Sequence, residues 1–288
     1  MKEFLLKTTL FLILTSIACA SIYTYLEYDK NKFPDNCQIF MYGDSQMYQG
    51  IKYTPLLDTL EQKGITFSKH GAGVYGFLRF ADLVKDSSTV LVTFSIPMLM
   101  RPKTIDNNTY NLSSELFTLA LKGYTPKDLV NVILQNGTRP SRIWKQTHGT
   151  YFGRAENIKV PQSVKSGAFS KPCSYLDAKM KLFEIAMQRL HKKGCRIIMI
   201  QFPHSADMDK VVHDSPDFEK LEDFKSTLVD QYLQDYKETH KVDSEEQTLY
   251  DFTHLNKTGS LQVTWKVADF LKQKEGSAFL HFKTIEQR

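Results

Sequence analysis

The sequence predicts an α/β fold: a three-layer α/β/α domain built on a mainly parallel sheet of five strands. Short apolar runs rich in β-branched residues alternate with segments of helical period, and glycines punctuate the joints between them. The length agrees, since 288 residues with 42% hydrophobic side chains can cover both faces of such a sheet. In chain order, QIFMY at 38–42 reads as a short buried strand and YTPLLDTLEQKG at 53–64 as a helix closed by Gly64. ITFSK at 65–69 is the second strand, followed by the glycine-rich turn HGAGVYG at 70–76 and the helix FLRFADLVK at 77–85. TVLVTFSI at 89–96 has the unbroken apolar character of a central parallel strand. Between 174 and 194, Leu176, Met180, Phe183, Met187 and Leu190 recur at helical spacing, with Gly194 at the end. CRIIMIQF at 195–202 is the fourth strand, a polar helical region occupies about 217–240, and QTLY at 247–250 is the fifth strand. DFTHLN at 251–256 leads into a last helix carrying Leu261, Trp265, Ala268 and Leu271.

The net charge of +5 is too mild for a dedicated nucleic-acid binder, so no nucleic-acid partner is expected. Lys2 and Lys7 precede an apolar run that reaches about Tyr25, and Ala18-Cys19-Ala20 fits a small-residue cleavage site. Residues 1–29 therefore read as a signal-anchor or a signal peptide, with lipid-modified Cys19 as a third option. Each places residues 30–288 outside the cytoplasm, either on a single-pass membrane anchor or secreted. Cys37, Cys173 and Cys195 lie beyond that segment, and burial is their default. No Cys/His group has zinc-ligand spacing, and HGAGVYG lacks the G-x-G-x-x-G spacing of a dinucleotide site, so no metal and no cofactor are expected. Residues 97–171 interrupt the alternation of strand and helix. From 100 to 171 there are 11 Lys or Arg against 4 Asp or Glu, and Trp144, Tyr151 and Phe152 lie among Arg139, Arg142, Lys145 and Arg154. Such a basic, aromatic insertion suits sugars with anionic groups or a membrane surface, or is a solvated subdomain with its own small core.

The strand order in sequence gathers one set of polar residues. Ser45 follows the first strand, Gly73 and Gly76 follow the second, and Asp251 and His254 follow the last, so all five meet at the carboxyl edge of the sheet. Asp-x-x-His on one loop lets a carboxylate orient an imidazole, which can then deprotonate the serine. Gly76 has no side chain to obstruct a backbone N–H aimed at a developing oxyanion, beside the N–H of Ser45. The plain alternative for Ser45 is a turn residue capping the next helix.

Gly43-Asp44-Ser45, GVYG after the second strand and DFTHLN near the C-terminus together resemble the SGNH (GDSL-type) hydrolase superfamily, over about residues 37–272. The resemblance implies a flavodoxin-like sheet with Ser45 as nucleophile, His254 as base, Asp251 as third member, and Ser45 and Gly76 as oxyanion donors. It departs at one block. Where the family has Gly-x-Asn-Asp, this chain has SIPM, with Pro97 near the asparagine's place; proline has neither a side-chain donor nor an N–H. Ser95 or Arg101 is the available substitute. Substrate-contact candidates are Asp44, Gly73, Ser95, Arg101 and His204. With the anchor, the pattern resembles divergent membrane-anchored members that O-acylate exported polysaccharides, such as those modifying alginate or teichoic acid. That implies an acylated carbohydrate or acyl donor as ligand and a membrane-embedded acyltransferase as partner. A catalytically inactive scaffold or glycan-binding relative is the rival expectation.

Overall fold

A computed structural model describes residues 7–9, 11, 14–15, 36–68, 72–100, 172–173, 176–233 and 237–285. The chain divides into two units, Met1–Cys37 and Gln38–Arg288. In the first, the described positions 7–9, 11 and 14–15 are helical and exposed. Most of the expected anchor at 1–29 and nearly all of the insertion at 97–171, Arg101 included, lie outside the described residues. Among the described residues no helix is long and apolar enough to cross a membrane.

The second unit is an α/β domain with a sheet of six parallel strands, one more than expected. Its elements are β1 (Ile39–Tyr42), α1 (Ser45–Gly50), α2 (Tyr53–Leu60), β2 (Gly64–Thr66), α3 (Val74–Leu83), β3 (Thr89–Thr93) and α4 (Ile96–Met100). After the insertion come α5 (Leu176–Lys192), β4 (Arg196–Gln201), α6 (Ala206–His213), α7 (Phe218–Tyr232) and β5 (Lys237–Val242). The chain continues through α8 (Glu245–Thr248) and α9 (Lys257–Gln273) to β6 (Ala278–Thr284). The strands lie in the order β2-β1-β3-β4-β6-β5.

Alternation along each strand sends side chains to two cores. Ile39, Met41, Leu91, Ile198, Ile200 and Leu280 pack with Met47 of α1, Leu56 of α2, and Val263, Val267 and Ala268 of α9. On the other face Tyr42 stacks on Phe77 of α3, Phe77 meets Phe183 of α5, and Phe94 meets Phe183 and Phe224 of α7. Helices therefore cover both faces, as a parallel sheet requires.

Several boundaries differ from the sequence reading for local reasons. Helix α2 ends at Leu60 because Glu61 adopts the left-handed conformation (φ 52°), so Gly64 opens β2 instead of closing the helix. Gly194, at φ 65°, does end α5 as expected. QTLY is not a strand: Gln247 and Thr248 finish α8, and Leu249 makes an isolated antiparallel bridge to Leu255. The strand before it is Lys237–Val242, an edge strand whose exposure alternates and whose polar sequence reads as helix continuation. In α9, Val263, Thr264 and Val267 are buried, while Trp265 is 43% exposed. The three described cysteines, Cys37, Cys173 and Cys195, are buried thiols.

Candidate active site

The direction of winding reverses at β1 and β3, since β2 lies on one side of β1 and β3 on the other. That switch point leaves a crevice at the carboxyl ends of the two strands, the usual ligand position in this architecture. Ser45 is the first residue of α1, separated from the end of β1 only by Gly43 and Asp44. Asp44 caps that helix: its Oδ1 accepts the Gln46 N–H (2.9 Å), and its Oδ2 accepts the Ser95 hydroxyl (2.6 Å) from the end of β3. Gly43 has no Cβ because one would collide with Met47 and Thr93. The tight passage from β1 into α1 follows from that close packing.

Asp251 and His254 come from a loop built by its own hydrogen bonds. Asp251 Oδ1 accepts the N–H groups of Thr253 and His254, both at 2.9 Å, folding the four residues into a turn. The Leu249–Leu255 bridge closes the base, with the Tyr250 N–H donating to the His254 carbonyl. Asn256 then caps α9 by accepting the Gly259 N–H and donates to the Gln247 carbonyl. Its amide is thus committed at both ends and only 2% exposed.

The loop delivers its imidazole to the serine. His254 Nδ1 lies 2.8 Å from both Asp251 carboxylate oxygens, and His254 Nε2 lies 2.8 Å from Ser45 Oγ. With the proton on Nδ1, Nε2 is the acceptor that Ser45 needs. Burial alone would raise the Asp251 carboxyl, but the His254 hydrogen bond and charge, with the two backbone N–H donors, outweigh it and hold the carboxyl below its ordinary range.

The other expected site residues are placed differently. Gly76 is inside α3, not in a loop, and a Cβ there would land on the Tyr42 hydroxyl. That close approach accounts for the glycine. Gly73 is the residue before α3, and its carbonyl accepts the same Tyr42 hydroxyl and the Phe77 N–H. Ser95, as well as donating to Asp44, accepts the Met98 N–H at the start of α4, so its hydroxyl proton is committed. Asp44 is 2% exposed and serves the helix cap and Ser95. His204 is buried, with Nε2 on Gln46 (2.9 Å) and Nδ1 on Asp209 (3.3 Å), which leaves no ring nitrogen to meet a substrate.

Two residues at the site carry no sequence signal. Gln46 is buried beside the serine and donates to the Thr253 carbonyl (3.1 Å), and Ser205 donates its N–H to the Phe252 carbonyl (2.9 Å). Hydrogen bonds between positions so far apart in sequence leave no spacing pattern to read. Among the described residues no group of three His, Cys, Asp or Glu side chains is placed to hold a metal ion. Comparisons with protein-family models, with curated proteins and with solved structures find no match to this chain.

Proposed function

We propose that this protein is a serine-dependent acyltransferase or esterase, related to the SGNH hydrolases, acting through Ser45, His254 and Asp251. The observation that carries the reading is the unbroken hydrogen-bonded chain from Asp251 through His254 to Ser45 Oγ, with both links at 2.8 Å. In the first half-reaction His254 Nε2 takes the hydroxyl proton as Ser45 Oγ adds to the acyl carbonyl. The same imidazolium then protonates the departing alkoxide, leaving an acyl-serine. An incoming hydroxyl, of water or of a sugar, gives its proton to His254 and takes the acyl group. Asp251 keeps the proton on Nδ1 and offsets the positive charge of the ring. The Ser45 N–H, in the first turn of α1 where the helix itself supplies no acceptor, is the backbone donor for the oxyanion.

The acceptor class in this proposal is an exported or cell-surface polysaccharide, with residues 1–29 as membrane anchor or signal peptide and a membrane-embedded acyltransferase supplying the acyl group. Its support is the order of motifs together with the basic, aromatic composition of residues 100–171. One observation favours the second reading, a catalytically inactive scaffold or glycan-binding protein. Ser95 is committed to Asp44, and Pro97 stands near the place of the family's asparagine, so no side-chain oxyanion donor follows β3 among the described residues.

Reaction with a fluorophosphonate probe separates the two. Covalent labelling of the parent that vanishes in Ser45→Ala and His254→Ala is the expected result. An unlabelled parent, or labelling that survives Ser45→Ala, leaves the scaffold reading standing.

A further inference from the structure

A second hydrogen-bonded chain runs beside the first. It starts at Asp209 of α6, passes through His204 and Gln46, and ends on the Thr253 carbonyl, next to His254. Its polarity is fixed by chemistry. The Gln46 amide nitrogen makes both contacts, so one of its hydrogens points to Thr253 and the other to His204 Nε2. His204 Nε2 must then accept, which puts the ring proton on Nδ1, facing Asp209 Oδ1. The Gln46 carbonyl oxygen meanwhile is buried with no partner among the described residues. The side chain is held for its two N–H groups at the expense of its oxygen.

We infer that Gln46 and His204 are positioning residues, a latch that fixes the Asp251–His254 loop against the helix carrying Ser45. The inference rests on the proposed triad. The loop has no regular secondary structure to set its distance from α1. Beside the His254–Ser45 contact, two hydrogen bonds from other segments reach it at adjacent carbonyls: Phe252 from the Ser205 N–H and Thr253 from Gln46. Gln46 neighbours the nucleophile in the same helical turn, so its amide transmits the position of Ser45 to the residue before His254. His204 and Ser205 are consecutive, so the segment after β4 holds the loop twice, once through its backbone and once through the amide. Three segments, after β1, β4 and α8, are thereby tied at one point.

The test uses the full chain and three variants: Gln46→Leu, which removes both N–H donors; His204→Phe, which removes the acceptor; and His204→Gln, which restores an acceptor oxygen. Fluorophosphonate labelling should slow on the order of 100-fold in Gln46→Leu, the scale of a displacement near 1 Å in a reacting pair. His204→Phe should slow it less, and His204→Gln should recover most of the loss. For a small ester the change should fall on kcat with KM nearly constant. The proton NMR resonance of the His254 Nδ1–H, far downfield through its bond to Asp251, should broaden or vanish in Gln46→Leu. Parent-rate labelling with that resonance intact overturns the latch, as does a slowing that only tracks lost thermal stability with the resonance unchanged. If the parent is not labelled at Ser45, the acyl-transfer reading has failed; the resonance still decides the latch, since its persistence in Gln46→Leu rules out positioning.

Discussion

Residues acting as a unit should fail as a unit. Under the acyl-transfer reading, Ser45→Ala and His254→Ala should each lower kcat by on the order of 10⁴-fold or more, and the double variant should be little worse than either. Asp251→Asn should cost less than removing either partner, because His254 then keeps its contact with Ser45 but loses the group that fixes its tautomer. Steady-state rates on a small ester check all four. Activity should also depend on the neutral imidazole, because an Nε2 that carries a proton cannot accept from Ser45. Asp251 adds a separate effect. Its carboxyl is held below its ordinary range, so the stability it contributes is present above the ordinary carboxylate pKa and is lost as pH falls through the folded value. Acid denaturation of Asp251→Asn should therefore begin from lower stability and show a shallower pH dependence than the parent. The meeting of Ser45, His254 and Asp251 is legible in the sequence because strand ends and short motifs place all three at one edge of the sheet. Gln46 is not, and His204 stands out only as a substrate-contact candidate, because an amide bonded to an imidazole 158 positions away leaves no period.

At the scale of elements, glycine choice separates packing from chemistry. Gly76 is a candidate oxyanion donor in the sequence, and Gly76→Ala keeps the backbone N–H. The structure sets its added methyl against the Tyr42 hydroxyl, which is bonded to Gly73 and stacked on Phe77. Overpacking of this kind costs about 1–3 kcal/mol. Gly76→Ala should lower the thermal midpoint while the folded fraction labels at the parent rate; a normal midpoint with a slow rate would return Gly76 to the oxyanion site. The elements that the sequence conceals have physical reasons too. Lys237–Val242 is read as helix because an edge strand exposes polar residues to water and lacks the apolar run of a central strand. Ala278–Thr284 is missed because its apolar residues follow the last helix, where the motif pattern is already complete. The first four strands in the chain, β1 to β4, apolar and short, are read correctly to within a few residues.

Charge should tell on the whole molecule at Lys52 and, under the proposed function, at the basic insertion. Lys52 is fully buried ahead of α2, its ammonium donating to the Gln49 carbonyl, and burial first, then the charge of Lys257, lowers it to about 8. A lowered folded pKa means that the unfolded chain binds the proton more tightly. Stability should therefore rise as pH climbs from about 8 toward the unfolded value, on the order of a few kcal/mol in the limit. Chemical denaturation of the parent and Lys52→Met at pH 7, 8.5 and 10 measures it, and the rise should be missing from the variant. The second place is the basic insertion. Reversing Arg139, Arg142 and Lys145 to Glu should raise KM for an anionic polysaccharide acceptor, more at low salt than at high, with little change for a small neutral ester. Equal effects on both substrates would assign those residues to the fold.

The strand order carries a consequence for how the protein is made. Strand β6 lies between β4 and β5, so the site-bearing loop after β5 belongs to an edge that has no neighbour until Ala278–Thr284 has been synthesised. During synthesis, β5 waits with its hydrogen-bonding edge unmet while α9 is completed. The last strand then threads into the gap and joins both halves at once. A chain stopped at Gly276 would retain Ser45, Asp251 and His254 in its sequence, yet it would have to hold β5 against water or against another copy. Such a product should aggregate instead of folding to a shortened domain, and a segment far from Ser45 in sequence thus acts as the keystone for assembling the candidate site.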